Sequence, residues 1–283
     1  MPIVLDHISY TYQPDSPFES PALHDVSLTI KSGQFVGLIG HTGSGKSTLI
    51  QHCNGLLFPV SGKVTVDGMP VVPKSKDLKE IRRKVGLVFQ YPEHQLFEET
   101  VALDIAFGPK SLGLASGEID SRVRWAMKMV DLDEKVFREA SPFSLSGGEK
   151  RRAAIAGVLA MQPKYLILDE PFAGLDPSGR EEIMDQLKRL NEKGLAIVLV
   201  SHSMDEIARL AKRLVVIHEG VIVYDDTVRQ VFGKAGELAE MGLDVPEAMK
   251  LMTLLNERGL AARQDVLTAD EGYEELLGVL RNA

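Results

Sequence analysis

The sequence has little of several features that would place it in particular classes of protein. It holds one cysteine, Cys53, in 283 residues, which excludes a disulfide framework within the chain. Apolar runs such as LAIVLV at residues 195–200 are far shorter than the ~20 residues that a membrane-spanning helix needs. Any role at a membrane is therefore expected to come through a partner.

Positive charge is also in deficit. The chain has 32 Lys and Arg against 40 Asp and Glu, a formal charge of −8, which argues against nucleic acid as the partner. The start MPIVLDHISY lacks the basic region and apolar core of a signal peptide, so we expect a cytoplasmic protein. With 44% apolar and 25% charged residues, the composition is that of an ordinary globular chain.

The pattern along the chain predicts an α/β fold. The first ~70 residues contain short strand-like segments separated by turn residues, whereas residues 92–162 show helical spacing. After residue 162, strands alternate with helices, which indicates a parallel sheet with crossover helices. We expect one large domain at residues 1–232, with a helical subdomain at about 92–162.

The final segment, residues 233–283, predicts a separate helical appendage. In DVPEAMKLMTLLNERG, Asp244 is expected to cap a helix whose apolar stripe includes Leu251. In the next helix, Thr268 and Glu271 have capping-box spacing, and the apolar face includes Tyr273 and Leu280. Residues 234–283 hold ten acidic and five basic residues, so −5 of the −8 lies here. The appendage is either a solvated cap or a contact between subunits.

A glycine-rich loop, GHTGSGKST, follows the apolar strand QFVGLI and precedes a segment with helical spacing. Such a loop directs backbone N–H groups and the helix dipole at a phosphate, while its Lys reaches the terminal phosphates and its Ser binds Mg²⁺. We call residues 40–48 the phosphate loop. Its candidate nucleotide-binding residues are Gly40, His41, Thr42, Gly43, Ser44, Gly45, Lys46, Ser47 and Thr48.

Polar residues end two later strands. YLILDEP places Asp169 and Glu170 at a strand end, where an open parallel sheet presents its ligand site. Because neighbouring side chains alternate, Asp169 can serve the Mg²⁺ shell while Glu170 faces the attacking water. His202 ends IVLVSH and can hydrogen-bond the γ-phosphate.

The segment LSGGE, residues 145–149, is the signature loop. It opens a helix, so Ser146 and the N–H groups of Gly147 and Gly148 form a second anion-binding helix start. One nucleotide does not need two such cradles from one chain. We therefore predict that the signature loop covers a nucleotide held by another subunit.

Together, GHTGSGKS, Gln90, LSGGE, ILDEP, AGLDP and VSH resemble the motif set of ABC-type ATPases, over about residues 1–232. The resemblance implies a P-loop nucleotide-binding domain with an antiparallel β subdomain, a helical subdomain and bound ATP and Mg²⁺. It implies that Tyr12 stacks on adenine, with Tyr10 as the rival, and that Asp176 makes a contact across a dimer. It also implies that Gln90 links Mg²⁺ to a membrane partner.

The spacing and number of these motifs narrow the type of ATPase. Lys46 and Ser146 are 100 residues apart, whereas coiled-coil repair ATPases insert hundreds of residues there, and translation-type members carry two motif sets. A transport subunit fits better. An ATPase that uses nucleotide as a switch in regulation or assembly is the alternative.

The stretch FQYPEHQLFEET, residues 89–100, resembles the ATPases of energy-coupling factor (ECF) transporters, in the form of the second, primed paralogue. That resemblance implies a pair of ATPases, usually a heterodimer of paralogues and alternatively a homodimer, on the cytoplasmic face of the membrane. It also implies a membrane T subunit that contacts residues 90–97 and an S subunit that binds vitamins or transition-metal ions. The sequence does not identify the cargo.

Overall fold

The computed structural model describes residues 1–260 and 262–282. Its strands, in chain order, are β1 (Ile3–Tyr12), β2 (Ser20–Ile30), β3 (Phe35–Ile39), β4 (Ser61–Val66), β5 (Met69–Pro70), β6 (Val85–Val88), β7 (Tyr165–Asp169), β8 (Ala196–Val200), β9 (Arg213–His218) and β10 (Val221–Thr227).

Helices fill most of the rest of the described chain. In chain order they are α1 (Lys46–Cys53), α2 (Leu78–Lys84), α3 (Val101–Ser111), α4 (Ser116–Met129), α5 (Glu134–Phe137), α6 (Gly147–Leu159), α7 (Pro177–Glu192), α8 (Met204–Leu210), α9 (Val228–Phe232), α10 (Ala235–Glu240), α11 (Glu247–Glu257) and α12 (Ala269–Asn282). Two 3₁₀ helices lie at Pro92–Gln95 and Pro142–Ser144. No described helix combines the length and apolar character that crossing a membrane requires.

Two sheets form the framework. A four-stranded antiparallel sheet has the order β2-β1-β4-β5, and a six-stranded sheet has the order β10-β9-β3-β8-β7-β6. In the larger sheet every pair is parallel except β10 and β9. This arrangement confirms the predicted parallel sheet and antiparallel β subdomain. Because the carboxyl ends of β3, β8, β7 and β6 share one edge, the segments that follow these strands meet there.

The larger sheet is buried on both faces. Along β8, Ile197 and Leu199 belong to the core beneath the helices, while Val198 and Val200 belong to the core between the two sheets. Burying such a side chain fully is worth about 1.5–3 kcal/mol. The strand therefore reads as a continuous apolar run, and the sheet is a rigid base for the loops at its edge.

The appendage differs from its sequence prediction in two details. Pro246, not Asp244, precedes the first residue of α11, because the Asp244 carboxylate accepts from Val245 N–H and pairs with Lys250 instead. Leu251 is 41% exposed, and the neighbouring Met249 is buried.

The second appendage helix begins as the sequence predicts. Thr268 Oγ1 accepts from Glu271 N–H at 3.2 Å, although the Glu271 carboxylate accepts from Leu267 N–H. Tyr273, on the predicted apolar face, is exposed. The side chain of Leu280 lies outside the described residues.

The appendage also packs against the rest of the chain. Leu238, Leu243 and Leu267 belong to the same core as Ile197 and Leu199 of β8, between the large sheet and its helices. Arg229 of α9 pairs with Asp265 and Glu271 ahead of and within α12. A division of the chain at residue 232 therefore cuts through one hydrophobic core, and the domain boundary stays a prediction.

Candidate active site

The phosphate loop connects β3 to α1 at the shared edge. A Cβ on Gly40 would lie 2.3 Å from the Ile217 carbonyl oxygen and 2.5 Å from Ser44 Oγ, so no larger residue fits. Gly45 has φ 106°, and a Cβ there would lie 2.6 Å from the Ala22 carbonyl oxygen. These two positions require glycine, which lets the loop fold tightly before α1 begins.

Lys46 lies across the phosphate loop. Its Nζ donates to the carbonyl oxygens of Gly40 at 2.6 Å and of His41 at 2.9 Å. Burial lowers the pKa of this ammonium, while the charges of Glu170 and Asp169 oppose the shift. Two of its three donors bind the loop, which holds a cation where a phosphate would be bound.

The other residues of the phosphate loop differ in exposure. Ser44 and Thr48 are buried, Thr42 and Ser47 are exposed, and His41 contacts the Thr42 carbonyl oxygen through Nδ1 at 2.6 Å. Within the described chain, buried Ser44 Oγ has no hydrogen-bond partner. A phosphate in the loop would supply the acceptor that this hydroxyl lacks.

Two predicted Mg²⁺ ligands lie together. Ser47 Oγ donates to Asp169 Oδ2 at 3.0 Å, although the residues are far apart in the sequence. Burial raises the pKa of Asp169, and the Ser47 hydrogen bond and Lys46 charge partly oppose it. A hydroxyl beside a carboxylate is a ligand set that suits Mg²⁺. Gln90 is exposed just beyond β6 at the same edge and, within the described chain, bonds to neither residue.

Glu170 and His202 form a second pair at this edge. Glu170 Oε1 lies 3.5 Å from His202 Nε2, and this buried oxygen has no hydrogen-bond partner among the described residues. Burial, helped by the charges of Asp169 and Glu206, raises the pKa of Glu170 to about 7. Burial and the Lys46 charge lower the pKa of His202. At neutral pH the imidazole is uncharged, so the contact is not a full ion pair.

The signature loop forms a separate concavity. Ser146 caps α6: its Oγ accepts from Glu149 N–H at 3.4 Å, and Glu149 Oε2 accepts from Ser146 N–H at 2.8 Å. Asp176 caps α7 by accepting from Gly179 N–H at 2.8 Å. These loops line a cavity of about 360 Å³ together with Gly147, Gly148, Arg152, Ser178 and Glu182. The residues that line it include none from the phosphate loop.

The adenine candidates differ in exposure. Tyr12 is 37% exposed, and its hydroxyl lies 3.0 Å from Thr48 Oγ1, beside the phosphate loop. Tyr10 is partly buried and packs edge-on between two rings, His52 and Tyr12, each with a centroid distance of 4.9 Å. A ring with neighbours on two sides is less available for stacking than that of Tyr12, which is more exposed and, among the described rings, contacts Tyr10 alone.

Sequence reasoning missed two arginines just after the signature loop. Arg152 lines the signature cavity, and its position one helical turn after Glu149 was the signal for this. Arg151 is 2% exposed and holds Glu93. Glu93, 17% exposed, is thus turned inward, although the sequence placed it at a surface for a partner.

Comparison with known proteins agrees with this geometry. The family described as "ABC transporter" matches residues 23–173. The energy-coupling factor transporter ATP-binding protein EcfA2 of Clostridioides difficile is 52% identical over 283 residues, covering 99% of this chain and 98% of that protein.

Two solved structures share the fold. The structure of cbiO1 from Clostridium perfringens, described as part of the ABC transporter complex cbiONQ, aligns with a TM-score of 0.74 and 35% identity. It covers 84% of this chain and 93% of that one. The dimeric cassette MJ0796, bound to ADP and phosphate after hydrolysis, aligns with a TM-score of 0.70 and 31% identity, covering 80% of this chain and 98% of that one. The chain therefore belongs to the ABC transporter family and, within it, to the ATP-binding proteins of energy-coupling factor transporters.

Proposed function

We propose that this ATPase works as one half of a head-to-tail pair in an importer of the energy-coupling factor type. Each ATP would lie between the phosphate loop of one subunit and the signature loop of the other. The observation that carries this proposal is the separation of the two cradles, since the signature cavity is lined without any residue of the phosphate loop. The partner is a paralogous ATPase or a second copy of this chain.

Within one site, the chain's own residues divide the work. Loop N–H groups and Lys46 bind the phosphates, and Glu170 Oε1, which is buried and unpaired, accepts a hydrogen bond from the attacking water. His202, whose pKa is lowered, would hydrogen-bond the γ-phosphate. Mg²⁺, held by Ser47, Asp169 and Gln90, would neutralise charge on the phosphate oxygens. Tyr12 stacks on the adenine, since Tyr10 is covered.

Glu170→Gln tests the catalytic assignment. The amide keeps the size of the side chain but removes the carboxylate, so we expect turnover to fall on the order of 10²–10³-fold. Nucleotide affinity should persist, and the pair should stay closed around ATP, which size-exclusion chromatography with bound-nucleotide analysis would detect. Glu192→Gln, at an exposed position at the end of α7, is the matched control. Turnover equal to that of the control would contradict the assignment.

We further propose that residues 90–97 contact a membrane T subunit. Phe97 is 59% exposed and packs edge-on against exposed Phe107 at 5.1 Å. The carboxylate of Asp104 accepts from the N–H groups of Phe97 and Glu98, which fixes the backbone of this segment. The two rings line a groove of about 420 Å³ that suits an apolar helix from a partner.

Phe97→Ser tests this contact in the purified membrane complex. We expect uptake and T-subunit association to fall while ATP affinity of the chain is unchanged, because the ring lies apart from the phosphate loop. Val136→Ser is the control, since Val136 is 62% exposed on α5 and lines no part of the groove. Equal uptake by both variants would refute the interface. Membrane subunits that fail to co-purify with wild type would favour a non-transport switch.

In this arrangement the chain lies on the cytoplasmic face, and a membrane S subunit selects the vitamin or transition-metal ion.

We also propose that the appendage contacts the second ATPase. Its exposed apolar residues, Leu254 at 53% and Tyr273 at 62%, support a contact surface rather than a solvated cap.

A further inference from the structure

Arg151 lies buried where three segments of the chain meet. Its Nε and Nη2 donate to the Glu93 carboxylate at 3.1 and 2.7 Å, and its Nη1 donates to the carbonyl oxygens of Pro171 at 2.8 Å and Ala173 at 2.6 Å. The guanidinium is thus bound to the 3₁₀ helix Pro92–Gln95 and to the loop after Glu170. Arg151 itself belongs to α6, which begins at the signature loop.

The bonds to Glu93 are strong for their type. They are bidentate and charge-assisted, and they join a buried guanidinium to a carboxylate that is 17% exposed. Burial alone would raise the pKa of Glu93, but the hydrogen bonds and charge of Arg151, together with a backbone hydrogen bond and the nearby His94, outweigh it, so this pKa lies below its usual value. Removing either partner would leave an uncompensated charge in the interior. The two segments are therefore held together rather than merely adjacent.

The bonds to Pro171 and Ala173 bear on the backbone of Glu170. Glu170 has φ 51°, in the left-handed region that a residue other than glycine keeps only when its surroundings hold it. The carbonyl of Pro171, the next residue, is bound by Arg151. Ala173 N–H also donates to the Glu170 carbonyl at 3.3 Å, which closes a tight turn. Arg151 thus binds two carbonyl groups of the turn that follows Glu170.

Arg213, outside the candidate site, makes the same pattern of hydrogen bonds as Arg151, so this pattern alone does not indicate a role in catalysis. It donates through Nε and Nη2 to Asp225, and through Nη1 to the Thr29 carbonyl, the same kinds of acceptor that Arg151 uses. It lies at the start of β9, however, at the opposite edge of the sheet from Glu170. It is therefore a comparison arginine outside the candidate site, with the same kinds of bond but a more exposed side chain, 23% against 2%.

We infer that Arg151 is a positioning residue that couples the segment facing the membrane partner to the orientation of Glu170. When Pro92–Gln95 moves, Glu93 carries Arg151 with it, and the turn at residues 170–173 follows. This inference rests on the proposed function, since it assigns a coupling role within the same importer.

The test uses the complete membrane complex with three variants, Arg151→Met, Arg151→Lys and Glu93→Gln. ATP turnover is measured over a range of ATP concentrations, and substrate uptake is measured in parallel. For Arg151→Met we expect kcat to fall on the order of 10²-fold with the KM for ATP unchanged, because a displaced catalytic group loses rate while the phosphate loop is intact. Arg151→Lys should recover only part of this, since an ammonium lacks the planar fork.

Glu93→Gln separates the role of the Arg151–Glu93 ion pair from the role of the bonds between Arg151 and the two carbonyl groups. It breaks the link between Pro92–Gln95 and Arg151 while the bonds from Arg151 to both carbonyls can remain, so we expect uptake per ATP hydrolysed to fall by a larger factor than ATP turnover does. Arg213→Met and Asp225→Asn are the controls for loss of a comparable bond, and they should retain the wild-type ratio of uptake to hydrolysis. Where Arg151→Met does not fold, Arg151→Lys and Glu93→Gln carry the test.

Three results would overturn the inference: a rise in KM at constant kcat for the Arg151 variants, an unchanged uptake ratio for Glu93→Gln, or the same losses in the Arg213 and Asp225 controls. A wild-type complex that shows no ATP-dependent uptake would instead overturn the proposed function. The two failures are therefore distinguishable in one set of measurements.

Discussion

The phosphate edge of the large sheet and the signature loop differ in how far their polar groups are satisfied. At the edge, Ser44 Oγ and Glu170 Oε1 are buried without partners in the described chain, and the pKa values of Lys46 and Glu170 are shifted by burial. At the signature loop, Ser146 is exposed and its hydrogen bonds are made within its own capping box, although the Nε of nearby Arg152 is buried without a partner in the described chain. The phosphate edge has unpaired polar atoms that a ligand would pair with, whereas the signature loop is already stabilised by its own hydrogen bonds and presents a preformed surface.

The strongest test of this contrast compares Lys46→Ala with Ser146→Arg. We expect both to lower turnover on the order of 10²–10³-fold, because each removes a group positioned on the phosphates. In a single chain, however, only Lys46→Ala should abolish ATP binding, since the signature loop is proposed to serve the other subunit. Isothermal titration of each purified chain with ATP measures this. A comparable loss of affinity in Ser146→Arg would place both cradles on one nucleotide.

A second prediction concerns pH and stability without Mg²⁺ or nucleotide. The folded-state pKa of Glu170, about 7, is raised from 4.5, so its contribution is fully present below pH 4.5 and is lost as pH rises toward 7. Glu170→Gln mimics the neutral form and keeps that contribution. We expect the variant to become more stable than wild type across this window, by on the order of 3 kcal/mol above pH 7.

Urea unfolding at a series of pH values in the presence of a chelator measures this difference. Glu192→Gln, at an exposed position, should show no comparable trend. A constant difference in unfolding free energy between Glu170→Gln and wild type from pH 4.5 to 8 would contradict a raised pKa of the Glu170 carboxyl group.

The smallest expected effect lies in the appendage. The double variant Leu254→Glu with Tyr273→Glu places two charges on the exposed apolar surface of the appendage. The appendage as a whole already carries net negative charge. We expect ATP-dependent association of the ATPase subunits to weaken several-fold while the affinity of one chain for ATP is unchanged. Analytical ultracentrifugation at graded concentrations detects the change, with Val136→Glu as the control. Identical association by both variants would favour a solvated cap.

The contrast also explains what sequence reasoning reached. The phosphate loop and the Asp169–Glu170 pair were predictable, because each is a local motif at the end of a buried strand and parallel strands bring such ends together. The Arg151 contacts were not, since a bond between residues 58 apart depends on tertiary packing. The start of α11 was missed for a local reason, since Asp244 pairs with Lys250 within the helix and Pro246 precedes its first residue.

The most direct test of the central claim is to mix the purified Lys46→Ala chain with the purified Ser146→Arg chain and measure ATP turnover. Each variant alone lacks a complete site. In a mixed head-to-tail pair, one site combines both defects and the other combines an intact phosphate loop with an intact signature loop. For a chain that pairs with a second copy of itself, we expect an equal mixture to recover about a quarter of wild-type turnover at the same total concentration, since half of the pairs are mixed. A mixture that stays as inactive as its components, while each variant still pairs with wild type, would contradict sites shared between subunits.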